Sequence, residues 1–385
     1  MLRQIRDDVR AHYYDPAFHG VDLASVFAAA EQRLKAAPTL ADAMALIADA
    51  LFQFDDSHTA FLPPDRQTRV DYGWQMAAVG DEVLVTTVDP ASDAAAKGVS
   101  PGDRVLLLNA FEPTRANLVR LGYFYRFIRP QARQRLGLLK PDGSARTVDV
   151  LSRLATKRTA DLGELLDDLG QLAERARDRS AAAGDGVLVW KMQAFGQPES
   201  IDAMIRKSRD YKTLVLDLRG NGGDSVAALK ELVSRCFAHP VVVALERARG
   251  RESREIAKPK SGFAGRLVVL VDSRSASAAE MFARIVQIEK RGDVLGDRTS
   301  GQVMTSRLFP HAIGVGRMLF YAASVTVSDV RMSDGGSLEK TGVEPDEIVL
   351  PRPSDMAADR DPVLARAIAL AGGAVTSEEA GRLFK

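Results

Sequence analysis

Three serines stand in one short stretch of the chain, at positions 273, 275 and 277. An apolar run at residues 267–271 precedes them and predicts a buried strand, and residues 281–286 follow with a helical pattern. A serine at the mouth of such a helix lies beside unpaired N–H groups and the positive end of the helix dipole, which can hold developing negative charge. It is therefore a candidate nucleophile. The alternative is an ordinary N-cap, a position that serine favours.

A second candidate is the loop Asp-Leu-Arg-Gly-Asn-Gly-Gly-Asp at residues 217–224, between a predicted strand and a predicted helix. Glycines there let backbone N–H groups face outward without a Cβ in the way, so that they can cradle a phosphate or an oxyanion. Phosphate is disfavoured because neither Gly-Lys-Ser/Thr nor the Gly-x-Gly-x-x-Gly spacing is present. The alternative is a simple tight turn.

Two further segments carry groups that can move or orient a proton. Ser57 and His58 lie where a predicted helix breaks into a loop, and a neutral imidazole can accept a hydroxyl proton near neutral pH. The turn-rich loop at residues 335–346 contains Glu339. Taken alone, His58 is more often a surface histidine than a base, and Glu339 fits solvated loop charge. The single Cys and five His lack the spacing of a zinc site, so we expect no metal and no cofactor.

The elements that would position these groups alternate in the last part of the chain. Four apolar strands are predicted, at residues 187–190, 213–217, 241–245 and 267–271, with predicted helices after the first, second and fourth. Such alternation indicates a parallel sheet covered on both faces. Both candidate loops follow the carboxyl ends of strands, where ligands bind in sheets of this kind. The charged stretch after residue 245 is predicted to be a loop.

The rest of the chain divides into segments that differ in predicted secondary structure. Residues 1–65 are predicted to be helical, and residues 66–155 to form a compact strand-rich module with a hairpin turn at 141–143. Residues 156–184 are predicted to be a charged helical connector. The α/β core occupies residues 185–385.

Four motifs occur in an order that resembles the C-terminal-processing serine peptidases and the related tricorn protease core. They are Asp-Leu-Arg-Gly-Asn-Gly-Gly at 217–223, Ser-Ala-Ser-Ala-Ala-Glu at 275–280, Gly-Asp-Arg-Thr-Ser-Gly at 296–301 and Gly-Val-Glu-Pro-Asp at 342–346. The strand-rich module, with Gly-Val-Ser-Pro-Gly-Asp at 98–103, resembles the PDZ domain of those enzymes. The resemblance implies a crotonase (ClpP)-like α/β peptidase core with a helical N-terminal part and an inserted PDZ-like domain.

The same resemblance assigns roles to residues of two loops. It places the nucleophile at Ser277. It implies that the oxyanion is held by the backbone N–H of Gly222 or Gly223 and by that of Ala278.

The base departs from the pattern of the bacterial tail-specific members. They place a general-base lysine 25 residues after the serine, and here that position holds Gln302, which cannot take a proton from a hydroxyl. The tricorn branch instead uses a histidine preceded by serine, together with a glutamate. His58, Ser57 and Glu339 match these by type and order. The sequence leaves open whether Ser57 or Glu339 contacts His58.

The implied activity is that of a serine endopeptidase that forms an acyl-enzyme with a peptide or unfolded protein, whose C-terminus the PDZ-like domain captures by strand addition. A member that processes one dedicated peptide is an alternative. Another is a non-catalytic ligand- or peptide-binding protein on the same fold, similar to the retinoid-carrying modules of the interphotoreceptor matrix.

Bulk properties set limits on partners and location. The net charge of +1 gives no overall field that favours nucleic acid or anionic membrane. No stretch approaches the roughly 18 apolar residues of a membrane span. The N-terminus lacks the apolar core of a signal peptide, so the sequence as it stands predicts a cytoplasmic protein. A signal removed before residue 1 would make it periplasmic or secreted. Whether the chain forms a homo-oligomer is left open.

Overall fold

The structure is a computed structural model that describes residues 1–64, 68–156, 178–314 and 318–384. The strands are β1 Ala60–Leu62, β2 Thr68–Asp71, β3 Trp74–Val79, β4 Glu82–Val88, β5 Arg104–Leu108, β6 Arg133–Leu139, β7 Ala145–Leu151, β8 Arg153–Thr156, β9 Arg179–Ala182, β10 Val187–Lys191, β11 Thr213–Asp217, β12 Val241–Ala248, β13 Arg251–Ala257, β14 Arg266–Val271, β15 Gly292–Gly296, β16 Met304–Ile313, β17 Leu319–Arg331 and β18 Glu347–Ile348. The helices are α1 Leu2–His12, α2 Leu23–Lys35, α3 Leu40–Phe52, α4 Asp93–Ala96, α5 Leu118–Tyr123, α6 Pro198–Ser208, α7 Val226–Cys236, α8 Ala278–Ile288, α9 Pro353–Ala357, α10 Pro362–Leu370 and α11 Ser377–Arg382.

A six-stranded sheet lies at the centre, in the order β18-β15-β14-β11-β10-β9, and only β9 runs antiparallel to its neighbour. Alternate residues of β10 point to opposite faces. Leu188 and Trp190 belong to the apolar cluster that includes α6, α7 and α8, whereas Val187 and Val189 belong to the cluster that includes α10 and α11. The continuous apolar strands thus follow from helices on both faces. The α/β fold class predicted from the sequence is confirmed.

A second, antiparallel sheet contains β1, β17, β12 and β13, with β16 also paired to β17. The prediction that residues 241–245 join the parallel sheet is therefore wrong, because they form the start of β12. The charged stretch after residue 245 is also not simply a loop, since part of it forms β13. β13 ends this sheet, and its charged side chains are exposed, as is common for edge strands.

The N-terminal part joins this second sheet. α1, α2 and α3 pack on β17 around a buried cluster that contains Ile5, Phe54 and Phe61. In β1, Phe61 pairs with Ala323 of β17. The start of the chain therefore lies directly on the strand that leads to the predicted Glu339 loop.

The PDZ-like module has an antiparallel sheet of β3 to β7 in chain order, a paired β2 and β8, and its own apolar cluster. β3 is an edge strand of that sheet. The module contacts the core through Arg115, which binds the carboxylate of Asp297 and donates to the Arg298 carbonyl at 2.9 Å. None of the helices in the described ranges has the length and apolar character needed to cross a membrane.

One predicted element needs correction. Residues 157–177 of the predicted helical connector lie outside the described residues. The connector's end is not helical, because Arg179–Ala182 forms β9, antiparallel to β10. Small residues such as alanine favour a helix in isolation, but pairing with a neighbouring strand overrides that local preference.

Candidate active site

Ser277 is the N-cap of α8 and follows β14 across a short loop. Its backbone has φ 54° and ψ −119°, outside the extended conformation of an ordinary cap. Ser225, the N-cap of α7, offers a contrast, with φ −81°, ψ 119° and a hydroxyl that accepts the N–H of Ala228 at 3.2 Å. The Ser277 side chain makes no cap hydrogen bond. Positive φ in a residue with a side chain is a strained conformation that is enriched at functional sites.

The other two serines of this loop are engaged in holding the structure. Ser275 is fully buried, and its hydroxyl donates to the Leu218 carbonyl at 2.8 Å. The hydroxyl of Ser273 donates to the Ala78 carbonyl of β3 at 2.5 Å. Of the three, Ser277 is therefore the serine best placed to react.

The glycine loop after β11 lies directly against Ser277. Gly223 has φ 89°, and a Cβ at this position would lie 2.6 Å from the Ser277 Cβ and 2.8 Å from the Ala276 carbonyl oxygen. Buried Asn221 joins the two loops, since its backbone carbonyl accepts the N–H of Ala276 at 2.9 Å. Only glycine fits at position 223, both because of its backbone angle and because of this close approach.

The N–H groups of these loops differ in availability. The N–H of Gly223 donates to Asn221 Oδ1 at 2.9 Å. Within the described ranges, no acceptor takes the N–H of Gly222 or that of Ala278. Of the two glycines that the sequence offered as an oxyanion donor, Gly222 is thus the one with a free N–H.

A buried ion pair stabilises the start of the glycine loop, residues 217–224. The Arg219 guanidinium binds both oxygens of Asp217, at 2.9 and 2.8 Å, and both oxygens of Asp361, at 2.9 and 2.7 Å. Lys191 Nζ adds a contact to Asp217 at 3.1 Å. Burial alone would raise the pKa of Asp217, but the charges of Arg219 and Lys191 outweigh it and hold that pKa below its usual range.

Glu280 holds the backbone around Ser277. Its carboxylate is fully buried and accepts the Ser277 N–H at 3.1 Å, the Thr299 hydroxyl at 2.5 Å, and the N–H groups of Gly301 and Gln302 at 2.7 and 2.9 Å. Burial raises the pKa of Glu280, and these donors oppose that rise. The first turn of α8 is thereby tied to the segment that follows β15.

Ser57, His58 and Glu339 form a hydrogen-bonded chain. Ser57 Oγ lies 2.6 Å from His58 Nδ1 and donates to Glu339 Oε2 at 2.9 Å. Glu339 also accepts the N–H of Ser57 at 2.7 Å and that of Val303 at 3.0 Å. Because the single proton of the Ser57 hydroxyl goes to the carboxylate, the hydroxyl must accept from Nδ1–H. That tautomer leaves His58 Nε2 without a proton and able to accept one.

The environment of these three hydrogen-bonded side chains also favours a neutral imidazole at His58. Burial lowers the pKa of His58, while the charge of Asp56 acts in the opposite direction. Burial raises the pKa of Glu339, and the hydrogen bonds from Ser57 and Val303 oppose that effect. The three hydrogen bonds to Glu339 stabilise its ionised form, so it can fix the orientation of Ser57 and hence of the ring.

One peptide group links Ser277 to the hydrogen-bonded series of Glu339, Ser57 and His58. The carbonyl of Gln302 accepts the N–H of Ser277 at 3.1 Å, and the next N–H, that of Val303, donates to Glu339. A peptide unit is rigid and planar, so it fixes the spacing of the two partners. In the described residues no hydrogen bond joins the Ser277 hydroxyl directly to His58. Such bonds often tighten only when substrate binds.

Two cavities flank the site. The larger, of about 470 Å³, lies between β3 and the core and is lined by residues such as Lys191, Arg219 and Arg274, but not by Ser277 or His58. The smaller, of about 350 Å³, is lined by Glu339 on the side of α1 and α3. Neither cavity by itself marks the reacting atoms, which the hydrogen-bond geometry identifies better.

Two residues that hold the site, Glu280 and Asn221, have no role predicted from the sequence. The available signal for Glu280 is its position three residues after Ser277, the spacing of a capping box. For Asn221 the sequence carries no such signal, because its partners Met192 and Ala276 lie in other segments.

Residues 186–349 match the family model described as peptidase family S41. A carboxyl-terminal-processing protease of Picosynechococcus sp. is 24% identical over 81% of this chain and 74% of that protein. The tail-specific protease of Haemophilus influenzae is 28% identical over 43% of this chain but only 25% of its own length. The solved structure of mature CPAF has a TM-score of 0.70 at 15% identity, covering 92% of this chain and 93% of that chain, and shows the fold.

Residues 186–349 of the α/β core are therefore similar to the serine peptidases of family S41. The resemblance to C-terminal-processing peptidases that the four motifs indicated is confirmed.

Proposed function

We propose that this chain is an endopeptidase of the tricorn-like type, with Ser277 as nucleophile and His58 as general base. The observation that carries the proposal is the chain from Glu339 through Ser57 to His58, which leaves Nε2 free to accept a proton. Gln302 supplies no base at the lysine position. The role of the carboxylate is that of the acid in a Ser-His-Asp triad, transmitted here through a hydroxyl.

The reaction proceeds in two half-reactions. The Ser277 Oγ attacks the peptide carbonyl while its proton passes to His58 Nε2, and the N–H groups of Gly222 and Ala278 bind the oxyanion. The C–N bond breaks as the imidazolium returns the proton to the leaving amine, and an ester to Ser277 remains. Water then loses a proton to His58 and attacks the ester carbonyl. The ester C–O bond breaks as the imidazolium returns that proton to Ser277 Oγ, which releases the carboxyl product and restores both the serine and the neutral His58.

The PDZ-like module is proposed to bind the C-terminus of the substrate. β3 is the edge strand of its sheet, so an extended peptide can add to it by main-chain hydrogen bonds. One end of β3 is already bound to the nucleophile loop, through Ala78 and Ser273. A peptide seated on β3 would thus be directed toward the core. Loss of binding when a peptide acid is replaced by its amide would support carboxylate capture.

A fluorophosphonate probe tests the proposed nucleophile. It forms a covalent bond with an activated serine hydroxyl, and mass spectrometry of the digested protein identifies the labelled residue. We expect label on Ser277 and none in the Ser277→Ala protein. Label on Ser275, or labelling that persists in Ser277→Ala, would contradict the assignment. A protein that takes up no label and hydrolyses no peptide would favour a binding function on the same fold.

A further inference from the structure

Asp56 lies two residues before His58 and accepts four hydrogen bonds. Oδ1 accepts the N–H of His58 at 2.9 Å, the N–H of Thr59 at 2.6 Å and the Thr326 hydroxyl at 2.7 Å. Oδ2 accepts the Tyr13 hydroxyl at 2.9 Å. No other carboxylate in the described residues binds the backbone N–H of His58.

These bonds join three elements that are remote in sequence. Thr326 belongs to β17 and is fully buried, and its backbone N–H in turn donates to the Thr59 hydroxyl at 3.1 Å. Tyr13 ends α1 and is also fully buried. The backbone at His58 is thus held against both β17 and α1 by one carboxylate. β17 leads to the loop that carries Glu339, so this attachment sets the distance between the base and its orienting acid.

We propose that Asp56 is a positioning residue of the peptidase, which fixes His58 relative to Glu339 and Ser277 and provides a negative charge that acts on the imidazole. The inference rests on the proposed function, because it gives Asp56 a role in the same proton transfer. Glu339 orients the ring from its side-chain end through Ser57. Asp56 holds the same residue from its backbone end.

The charge of Asp56 has a second effect on His58. Burial lowers the pKa of His58 and the Asp56 charge raises it, so the carboxylate keeps a buried imidazole basic enough to accept a proton. It also stabilises the imidazolium that forms during the reaction. Other titratable groups face this region from α1 and from the loop after β17: Tyr13, Tyr14 and Glu339. The adjoining cavity is further lined by His19, Asp55, Asp329, Arg331 and Lys340.

Two substitutions separate position from charge. Asp56→Asn keeps a similar shape and an acceptor oxygen for the backbone N–H groups, but removes the charge. Asp56→Ala removes both. Asp55→Asn is the matched control, since Asp55 is one residue away and asparagine tolerates its positive φ. Asp55 pairs with Lys340, but its side chain is 83% exposed, and an ion pair so exposed contributes little. Peptide hydrolysis across a pH series gives kcat and KM for each protein.

We expect Asp56→Ala to lower kcat by about 100-fold with little change in KM, because a base displaced by about 1 Å loses that much. Asp56→Asn should lower kcat about tenfold and move the acid limb of the pH profile to lower pH. Asp55→Asn should match the parent. Thermal unfolding of each variant checks that the fold is retained.

A readout that does not require turnover accompanies the kinetics. In protein grown with labelled histidine, the NMR titration of His58, identified by its loss in His58→Ala, should shift to lower pH in Asp56→Asn. A purely structural role for Asp56 would change the unfolding temperature but leave this titration unmoved. Parent-like titration and kcat in Asp56→Asn and Asp56→Ala, with Ser277→Ala and His58→Ala inactive, would overturn the role of Asp56 alone. Full hydrolysis by Ser277→Ala and His58→Ala would overturn the proposed function and this role with it.

Discussion

Two loops carry the proposed catalytic side chains, and they are built in different ways. The nucleophile loop is residues 272–277, between β14 and α8, and the base loop is residues 53–59, between α3 and β1. The nucleophile loop is held mainly by nearby parts of one α/β unit: Glu280 is three residues from Ser277, and Leu218, the partner of Ser275, is 57 residues from it. Ser273 adds a contact outside this unit, to Ala78 of β3. The base loop is held by contacts across almost the whole chain. Ser57 and Glu339 are 282 residues apart, and Asp56 and Thr326 are 270 apart.

This difference separates two requirements of the proposed chemistry. The oxyanion donors and the serine need only the ends of parallel strands and the start of a helix. The base becomes oriented only when the N-terminal part packs on β17. Substitutions at the two loops should therefore lower activity in different ways.

The largest effect is expected from Ser277→Ala. It should reduce kcat by about 10,000-fold or more, since only oxyanion binding and substrate binding remain. Its free energy of unfolding should change little, because the serine side chain makes no cap bond. Ser225→Ala, at an ordinary N-cap, should do the reverse and cost about 1 kcal/mol of stability with kcat unchanged. Steady-state kinetics and urea unfolding measure both, and turnover by Ser277→Ala would remove the nucleophile assignment.

His58→Ala tests the base loop. We expect kcat to fall by about 1,000-fold, within the range of general-base contributions. His239→Ala is the control, because His239 is exposed and pairs with Glu289 at 2.8 Å, away from the candidate site. Peptide hydrolysis at saturating substrate compares the two variants. Near-normal kcat in His58→Ala would defeat the tricorn-like mechanism even if Ser277 were essential. The candidate bases would then be lysines of the charged stretch after residue 245, such as Lys258 and Lys260.

Gly223→Ala should damage the nucleophile loop without touching the base loop. Its φ of 89° and the 2.6 Å approach to the Ser277 Cβ force the backbone to move. Such a displacement should lower kcat by about 100-fold. Gly122→Ala, in α5 of the PDZ-like module, is the matched control, since nothing lies within 4 Å of a Cβ built there. If the two glycine variants lost kcat equally, the close packing of position 223 on Ser277 would not be the cause.

Glu339→Gln should have a smaller effect than loss of the base. The amide can still accept the Ser57 hydroxyl, but it lacks the charge and the second acceptor oxygen that bind Ser57 and Val303 together. A fall in kcat of about tenfold is expected, with KM nearly unchanged. Hydrolysis rates for the parent, Glu339→Gln and Glu339→Ala should rank in that order. A glutamine variant as inactive as His58→Ala would mean that the carboxylate does more than orient the ring.

The smallest effect is a displacement of the pH profile. His58 must be neutral to act as base, and burial lowers its pKa from the ordinary value near 6.5. The neutral form therefore persists to lower pH, and kcat/KM should rise with pH through one ionisation below that value. A series of buffers of constant ionic strength measures it. A rise centred near pH 8 or above would point to a lysine base instead.

Local sequence was sufficient to predict the elements around Ser277. The apolar run of β14, the serine at the start of α8 and the glycines after β11 each depend on residues only a few positions apart. Strand propensity, helix capping and the freedom of glycine act over that range. The placement of both loops at carboxyl ends of parallel strands followed from the alternation of strands and helices.

The tertiary structure was needed to identify the second sheet. It was also needed to show in which order Glu339, Ser57 and His58 are hydrogen-bonded. β13 has the charged sequence of a loop and becomes a strand only because it pairs with β12. Whether Ser57 or Glu339 touches His58 depends on packing α1 and β1 against β17, across more than 250 positions of sequence that no local preference can span. The sequence by itself determined which residues could take part in the chemistry. Tertiary packing determined that Ser57 stands between the imidazole and the carboxylate, because only long-range contacts fix those three side chains in one line.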